Sequence, residues 1–99
     1  MLQELLGQDP NNAFARYGLA MEYSNSGNVE QALEEFQNLL SAHPDYTAGY
    51  FMAAQALAKV GRSGEARKML ADGIACAQKQ GDSHAQSEMQ TMLDDLELD

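Results

Sequence analysis

Residues 13–46, AFARYGLAMEYSNSGNVEQALEEFQNLLSAHPDY, and residues 47–80, TAGYFMAAQALAKVGRSGEARKMLADGIACAQKQ, can be laid one on the other without a gap. At that offset of 34 positions Leu19 returns as Ala53, Ala20 as Ala54, Tyr23 as Leu57, Gly27 as Gly61, Ala32 as Ala66 and Phe36 as Leu70; Pro10, ahead of the first block, returns as Pro44. A period of this length belongs to a helix-turn-helix unit that cannot bury its apolar face alone and stacks on a copy of itself. Stacks of this kind are docking surfaces far more often than enzymes.

Punctuation around the blocks places the helices. Asp9-Pro10 closes a short helix over about residues 2–7, because a residue before proline is pushed out of the α region. That helix resembles the tail of an incomplete unit, since Leu5-Leu6-Gly7-Gln8-Asp9-Pro10 aligns with Leu39-Leu40-Ser41-Ala42-His43-Pro44. Asn11 or Asn12 can cap a helix running to about Ser26, which stops at Gly27. Asn28 with Gln31 three residues on forms a box-like start for the next helix, whose stripe is Val29, Ala32, Leu33, Phe36, Leu39 and Leu40. Asp45 is the expected cap of a helix over about 46–60. A longer helix starts at Arg62 or Ser63 and runs to about Gln80, where Gly81 breaks it. Ser83-His84-Ala85-Gln86 opens a last helix with Ala85, Met89, Met92, Leu93 and Leu96 on one face; it fits no third copy and is expected to cap the stack. The division is an N-terminal helix at 1–8, units at 13–46 and 47–80, and a capping helix at 82–97.

The whole chain agrees with an all-α reading. It has 99 residues, 44% of them hydrophobic, two prolines and no tryptophan, enough for one core and one domain. The start, Met1-Leu2-Gln3-Glu4, lacks the basic region of a secretory signal, and no apolar run approaches the roughly 18 residues of a membrane span. A soluble, cytoplasmic protein is the expectation. The lone Cys76 excludes an internal disulfide and, within Ile74-Ala75-Cys76-Ala77, suits a small core hydrophobe.

Charge is unevenly spread over the net −9. Residues 1–58 carry seven acids against Arg16 alone, residues 59–80 carry five bases and two acids, and residues 81–99 carry six acids. An anionic membrane or a nucleic acid would be repelled by the whole. The bases Lys59, Arg62, Arg67, Lys68 and Lys79 are expected either to face the acidic last helix or to offer a positive patch to an acidic partner.

The repeated residues resemble the tetratricopeptide repeat, whose signature of Leu-Gly/Ala, Tyr, Gly, Ala, aromatic and Pro spans 34 residues. The first block matches at Leu19, Ala20, Tyr23, Gly27, Ala32, Phe36 and Pro44, and the second at Tyr50, Ala54, Gly61, Ala66 and Leu70. Arg16 departs from the pattern where the family favours an aromatic, Gly73 replaces an alanine, and Gln78 stands for the closing proline. The resemblance implies an α-α superhelix of about two repeats, non-enzymatic, holding a partner against the first helix of each pair. Carried over by repeat position, the groove residues are Phe14, Tyr17, Met21, Ser24 and Asn25, then Ala48, Phe51, Gln55, Ala58 and Lys59. The fifth positions being Tyr17 and Phe51, a clamp for a peptide carboxylate is not implied. An apolar strip of Phe14, Tyr17, Met21 and Phe51, oriented by Asn25, Gln55 and Lys59, suits a hydrophobic or amphipathic protein segment. The same aromatics could instead be covered within the chain or by a second copy in a homodimer.

No other constellation competes. His84 and Glu88, four apart, give two ligands where a closed metal site needs four. His43 lies in a loop before Pro44, and neither histidine has a nucleophile context. Glu34-Glu35 and Asp94-Asp95 suit solvated faces, and Gly61 and Gly64 lack the Lys-Ser/Thr of a phosphate loop. No cofactor, metal or catalytic residue is expected.

Overall fold

The computed structural model describes residues 2–9 and 12–98, so the landmark Pro10 and the alternative cap Asn11 lie outside the described residues. Six helices follow in order: α1 Leu2–Gln8, α2 Ala13–Asn25, α3 Val29–Ala42, α4 Thr47–Lys59, α5 Ser63–Gln80 and α6 Ser83–Glu97. No strand occurs among the described residues.

Within the pairs α2–α3 and α4–α5, and again from α5 to α6, consecutive helices are joined by short turns of one type. At the first turn Gly27 takes φ 86°, and the Asn28 N–H reaches back 2.8 Å to the Tyr23 carbonyl. At the second, Gly61 takes φ 81° and the Arg62 N–H reaches the Leu57 carbonyl at 2.9 Å. Each glycine supplies the left-handed residue that lets the next amide satisfy a carbonyl left over at the helix end. Gly81 repeats the device between α5 and α6, with Asp82 N–H bonding the Ala77 carbonyl at 2.9 Å.

The start signals correct the sequence reading at three helices. Asn12 does cap α2, its Oδ1 accepting from Ala15 N–H at 2.9 Å. Asn28 stands at the start of α3 as expected, but its side chain makes no capping bond; its amide instead donates to the Ser26 hydroxyl. Asp45 falls one residue too early for α4, whose first flanking residue is Tyr46, held by its ring against Tyr17. At α6 the cap is Asp82 rather than Ser83, because the turn ends at Gly81 and leaves Asp82 in the flanking position, where its carboxylate accepts from Ala85 N–H at 3.1 Å.

Burial repeats with the sequence. Ala20, Ala32 and Phe36 sit in one buried cluster with Leu39, Ala53 and Ala56; Ala54, Ala66 and Leu70 sit in a second with Leu57, Ala77 and Met89. Leu33 and Met69 touch both, so the two clusters form one continuous core. The alanines stand where helices of a pair cross, and a larger side chain there would force the axes apart.

The stack is curved. Neighbouring first helices touch, α2 with α4 and α4 with α6, whereas α3 and α5 do not. The α2–α4–α6 side is therefore the concave one, and α6 stands to α4 as α4 stands to α2. Between α5 and α6, packed along their length, no ion pair forms among the described residues. The basic helix does not neutralise the acidic one, because the two meet through apolar side chains such as Ala77 and Met89 while their charges point outward.

Candidate partner-docking surface

The concave face is assembled from residues that recur on successive turns of α2 and α4. Met21, Ser24 and Asn25 on α2 face Met52, Gln55, Ala56 and Lys59 on α4, and together they line a hollow of about 180 Å³. Its floor is thioether and methyl, while its rim offers a hydroxyl, two amides and one ammonium group. Methionine adapts its shape to what it meets, and a few polar groups around an apolar floor fix orientation.

The other residues assigned to the groove by repeat position lie elsewhere. Phe51 and Ala48 border a separate hollow of about 160 Å³ between α4 and α6, with Thr47, Ala85 and Met89 and the carboxylates of Asp82 and Glu88. Tyr17 turns into the α2–α3 hairpin, edge-on to Phe36 at 6.4 Å and tilted over Tyr46 at 5.3 Å. Burial, and then the neighbouring Tyr46, raise its phenol pKa above the ordinary value. Ala58 is half-buried against the second cluster. Phe14 is 72% exposed and lines a third hollow beside α1, away from Met21 and Lys59. Phe14, Met21 and Phe51 thus border three different hollows, and Tyr17 packs against Phe36 and Tyr46.

Two sets of residues line these hollows without having been assigned to the groove by repeat position. Met52 and Ala56 join the first hollow, and Asp82 at the start of α6 with Ala85, Glu88 and Met89 on it join the second. The first pair is discoverable from register, since Met52 lies three residues before Gln55 and Ala56 three before Lys59, spacings that share a helix face. The α6 set is not, because α6 departs from the repeat.

Arg16, the departure from an aromatic, is held by Glu35 of α3, its Nη1 donating to both carboxylate oxygens at 3.0 and 3.1 Å. Arg62 bonds Glu65 and, at 3.2 Å, Glu30, which ties the α4–α5 turn to α3. The Arg62 hydrogen bond lowers the Glu65 carboxyl pKa and raises that of the guanidinium, both at the surface. Cys76 is buried, its sulfur 3.3 Å from the Thr47 hydroxyl and from the Gln80 amide. His84 pairs with Glu88 at 2.7 Å on the exposed side of α6. Among the described residues no three His, Cys, Asp or Glu side chains gather where they could hold a metal ion, and no helix is long and apolar enough to cross a membrane.

A curved stack of helix hairpins with an adaptable, polar-rimmed inner face belongs to the class of helical-repeat scaffolds that present a surface to other proteins. Comparison with known proteins is specific within that class. Residues 25–90 match the family model described as tetratricopeptide repeat. The TPR repeat-containing protein PA0015 of Pseudomonas aeruginosa is 32% identical over 96 residues, an alignment covering 97% of this chain and 91% of that protein. The solution structure of a tetratricopeptide repeat domain protein from Salinibacter ruber superposes with a TM-score of 0.84 at 31% identity, covering 90% of each chain. Protein BPP2914 from Bordetella parapertussis superposes with a TM-score of 0.83 at 27% identity, over 96% of this chain and 83% of its own. The chain belongs to the tetratricopeptide repeat family.

Proposed function

We infer that this chain is a non-enzymatic, cytoplasmic adaptor that receives a hydrophobic or amphipathic segment of a partner protein on its concave face. The observation that carries the reading is the hollow where Met21 and Met52 lie beneath Ser24, Asn25, Gln55 and Lys59. A partner side chain anchors on the two thioethers, and the amides and ammonium hold its backbone or a nearby acceptor in register. Phe51, one turn before Gln55, gives the same segment a second apolar contact toward α6. The acidic charge of the chain favours neutral or basic protein partners over nucleic acid.

Gln55 and Lys59 are exposed, so a carboxylate placed at either position leaves the fold intact. Affinity capture from the source cells with wild-type chain as bait, compared with a Gln55→Glu/Lys59→Glu bait, tests the reading. Loss of about tenfold or more of the retained partner supports it. Undiminished capture overturns it. Light scattering over a range of concentrations tests the homodimer reading, in which a second copy fills the groove and mass rises with concentration.

A further inference from the structure

The repeat register pairs each position of α2 with one of α4, so that Gly18, Leu19 and Glu22 correspond to Met52, Ala53 and Ala56. The α4 members of that set are turned toward the preceding hairpin: Ala53 and Ala56 are buried in the first cluster and Met52 packs on it. Their α2 counterparts are covered differently. Only α1 lies over α2 on that side among the described residues, setting Leu2 so close that a β-carbon on Gly18 would meet its methyls at 3.0 and 3.1 Å. None of the α1 residues is itself buried. A hollow of about 540 Å³ remains, bordered by Leu2, Gln3, Phe14, Gly18, Leu19 and Glu22. Phe14 stands 72% exposed at its edge.

The shape of this edge follows from the stack. Along the concave side each first helix lies against another, α4 against α2 and α6 against α4, and the open flank of α2 is the next position in that series. It is therefore a seat for a helix, with the exposed Phe14 at its border and Leu2, packed on Gly18, beneath it.

Charge selects the occupant. Glu22, on the border of the hollow, is exposed and makes no ion pair among the described residues, while Arg16, the one Lys or Arg in residues 1–58, is bound to Glu35. A second copy joined head to tail would bring α6 to this seat. That helix carries Glu88, Asp94, Asp95 and Glu97, so the join would set acids against acids. We propose that the Phe14 edge of α2 is a second docking surface, distinct from the concave hollow, and that it receives a basic amphipathic helix of another protein. Its apolar stripe covers Phe14 and the Leu2 side chain that lies over Gly18, and its flanking Lys or Arg residues meet Glu22.

The probe is a synthetic amphipathic peptide of about 16 residues with leucines on one face and lysines on its flanks, beside a twin with glutamates on the flanks. Each is titrated into isotope-labelled protein while amide shifts and affinity are read. The lysine peptide is expected to bind in preference to its twin and to shift α1 and the Phe14–Glu22 segment. Phe14→Asp, at an exposed position, should weaken it about tenfold or more, and Glu22→Lys should turn the preference toward the glutamate peptide. Gln55→Glu/Lys59→Glu should leave this binding unchanged, which separates it from the groove. Equal binding of the two peptides, shifts confined to the concave hollow, or no binding overturns the proposal. So does a mass that doubles with concentration in the absence of peptide and returns to one chain in Phe14→Asp, since the occupant is then a second copy.

Discussion

The junction between α3 and α4 and the junction between α5 and α6 solve one packing problem in opposite senses. At the first, the second helix of the pair supplies the bulk: Leu39 is fully buried, and it fits because α4 presents Gly49, where a β-carbon would lie 3.1 Å from a Leu39 methyl. At the second, the repeat-equivalent of Leu39 is Gly73. The hole is now on α5, and the filling comes from the neighbours; a β-carbon at position 73 would lie 2.5 Å from the Met89 sulfur and 2.7 Å from Tyr50 Cβ. Tyr50 in turn is the repeat-equivalent of Arg16, so a bulky ring stands beside the glycine where the first unit has an arginine paired to Glu35. The landmark alanines hold the helices at fixed crossings, and the positions between them trade volume as long as each junction keeps one large and one small partner.

The sharpest way to break that comparison is to remove the knob at one junction and fill the hole at the other. Leu39→Ala leaves a cavity among the first cluster and should cost about 2–5 kcal/mol in denaturant unfolding. Gly73→Ala adds a methyl with nowhere to go. The Met89 thioether can swing aside, but Tyr50 Cβ is fixed by its backbone, so overpacking of about 1–3 kcal/mol should outweigh the gain in helix propensity of about 1 kcal/mol. Hydrogen exchange should show the Gly73→Ala loss concentrated in α6 and the Leu39→Ala loss spread over α2 to α4. A neutral Gly73→Ala would mean that the two junctions are not reversed versions of one fit.

The same contrast explains what could be read without coordinates. The fold followed from the spacing of Ala20, Ala32, Phe36 and Gly27 and their partners, because those residue types answer to backbone crossings and turns that tolerate few substitutes. Helix starts were less legible. Asn28, Asp45 and Ser83 are all good caps by type, yet Asn28 flanks α3 without its side chain capping it, and Tyr46 and Asp82 take the flanking positions of α4 and α6. Gly73 was visible only as a missing alanine, since its reason lies in contacts with Tyr50 and with Met89 of a helix outside the repeat, which no spacing announces. At the candidate site, register brought Met21, Asn25, Gln55 and Lys59 to one hollow. It did not separate them from Tyr17, because helical spacing alone does not say whether an aromatic points out of the stack or across a hairpin.

The Arg16–Glu35 pair tests whether the first unit needs its ion where the second has a ring. The two side chains are 20% and 14% exposed, so the pair is neither a surface bridge nor fully desolvated. Hydrogen bonds to charged groups contribute about 1.5–3 kcal/mol, and partial solvation reduces that here to about 1–2 kcal/mol. A double-mutant cycle with Arg16→Met and Glu35→Gln should return a coupling of that size, weakened little by salt. Zero coupling would reduce Arg16 to a filler and remove the electrostatic half of the contrast between the units.

The smallest expected effect lies at Tyr50 itself. Its hydroxyl donates to the Pro44 carbonyl at 2.7 Å, joining α4 to the end of the loop before it. Burial, with Cys76, Asp72 and Asp45 nearby, raises the phenol pKa above the ordinary value near 10. A neutral phenol favoured in the folded state contributes stability that is fully present below the ordinary tyrosine pKa and is lost as pH rises through the raised folded value. Tyr50→Phe keeps the ring against Gly73 but deletes the donor, and should cost about 0.5–1.5 kcal/mol at neutral pH. The variant should then lose less stability than wild type between neutral and alkaline pH, leaving the remaining alkaline slope to Tyr17, whose pKa is raised in the same direction. Urea midpoints on either side of the tyrosine range measure both differences, and parallel curves for the two proteins would show that the ring, and not its hydroxyl, is what the second unit uses.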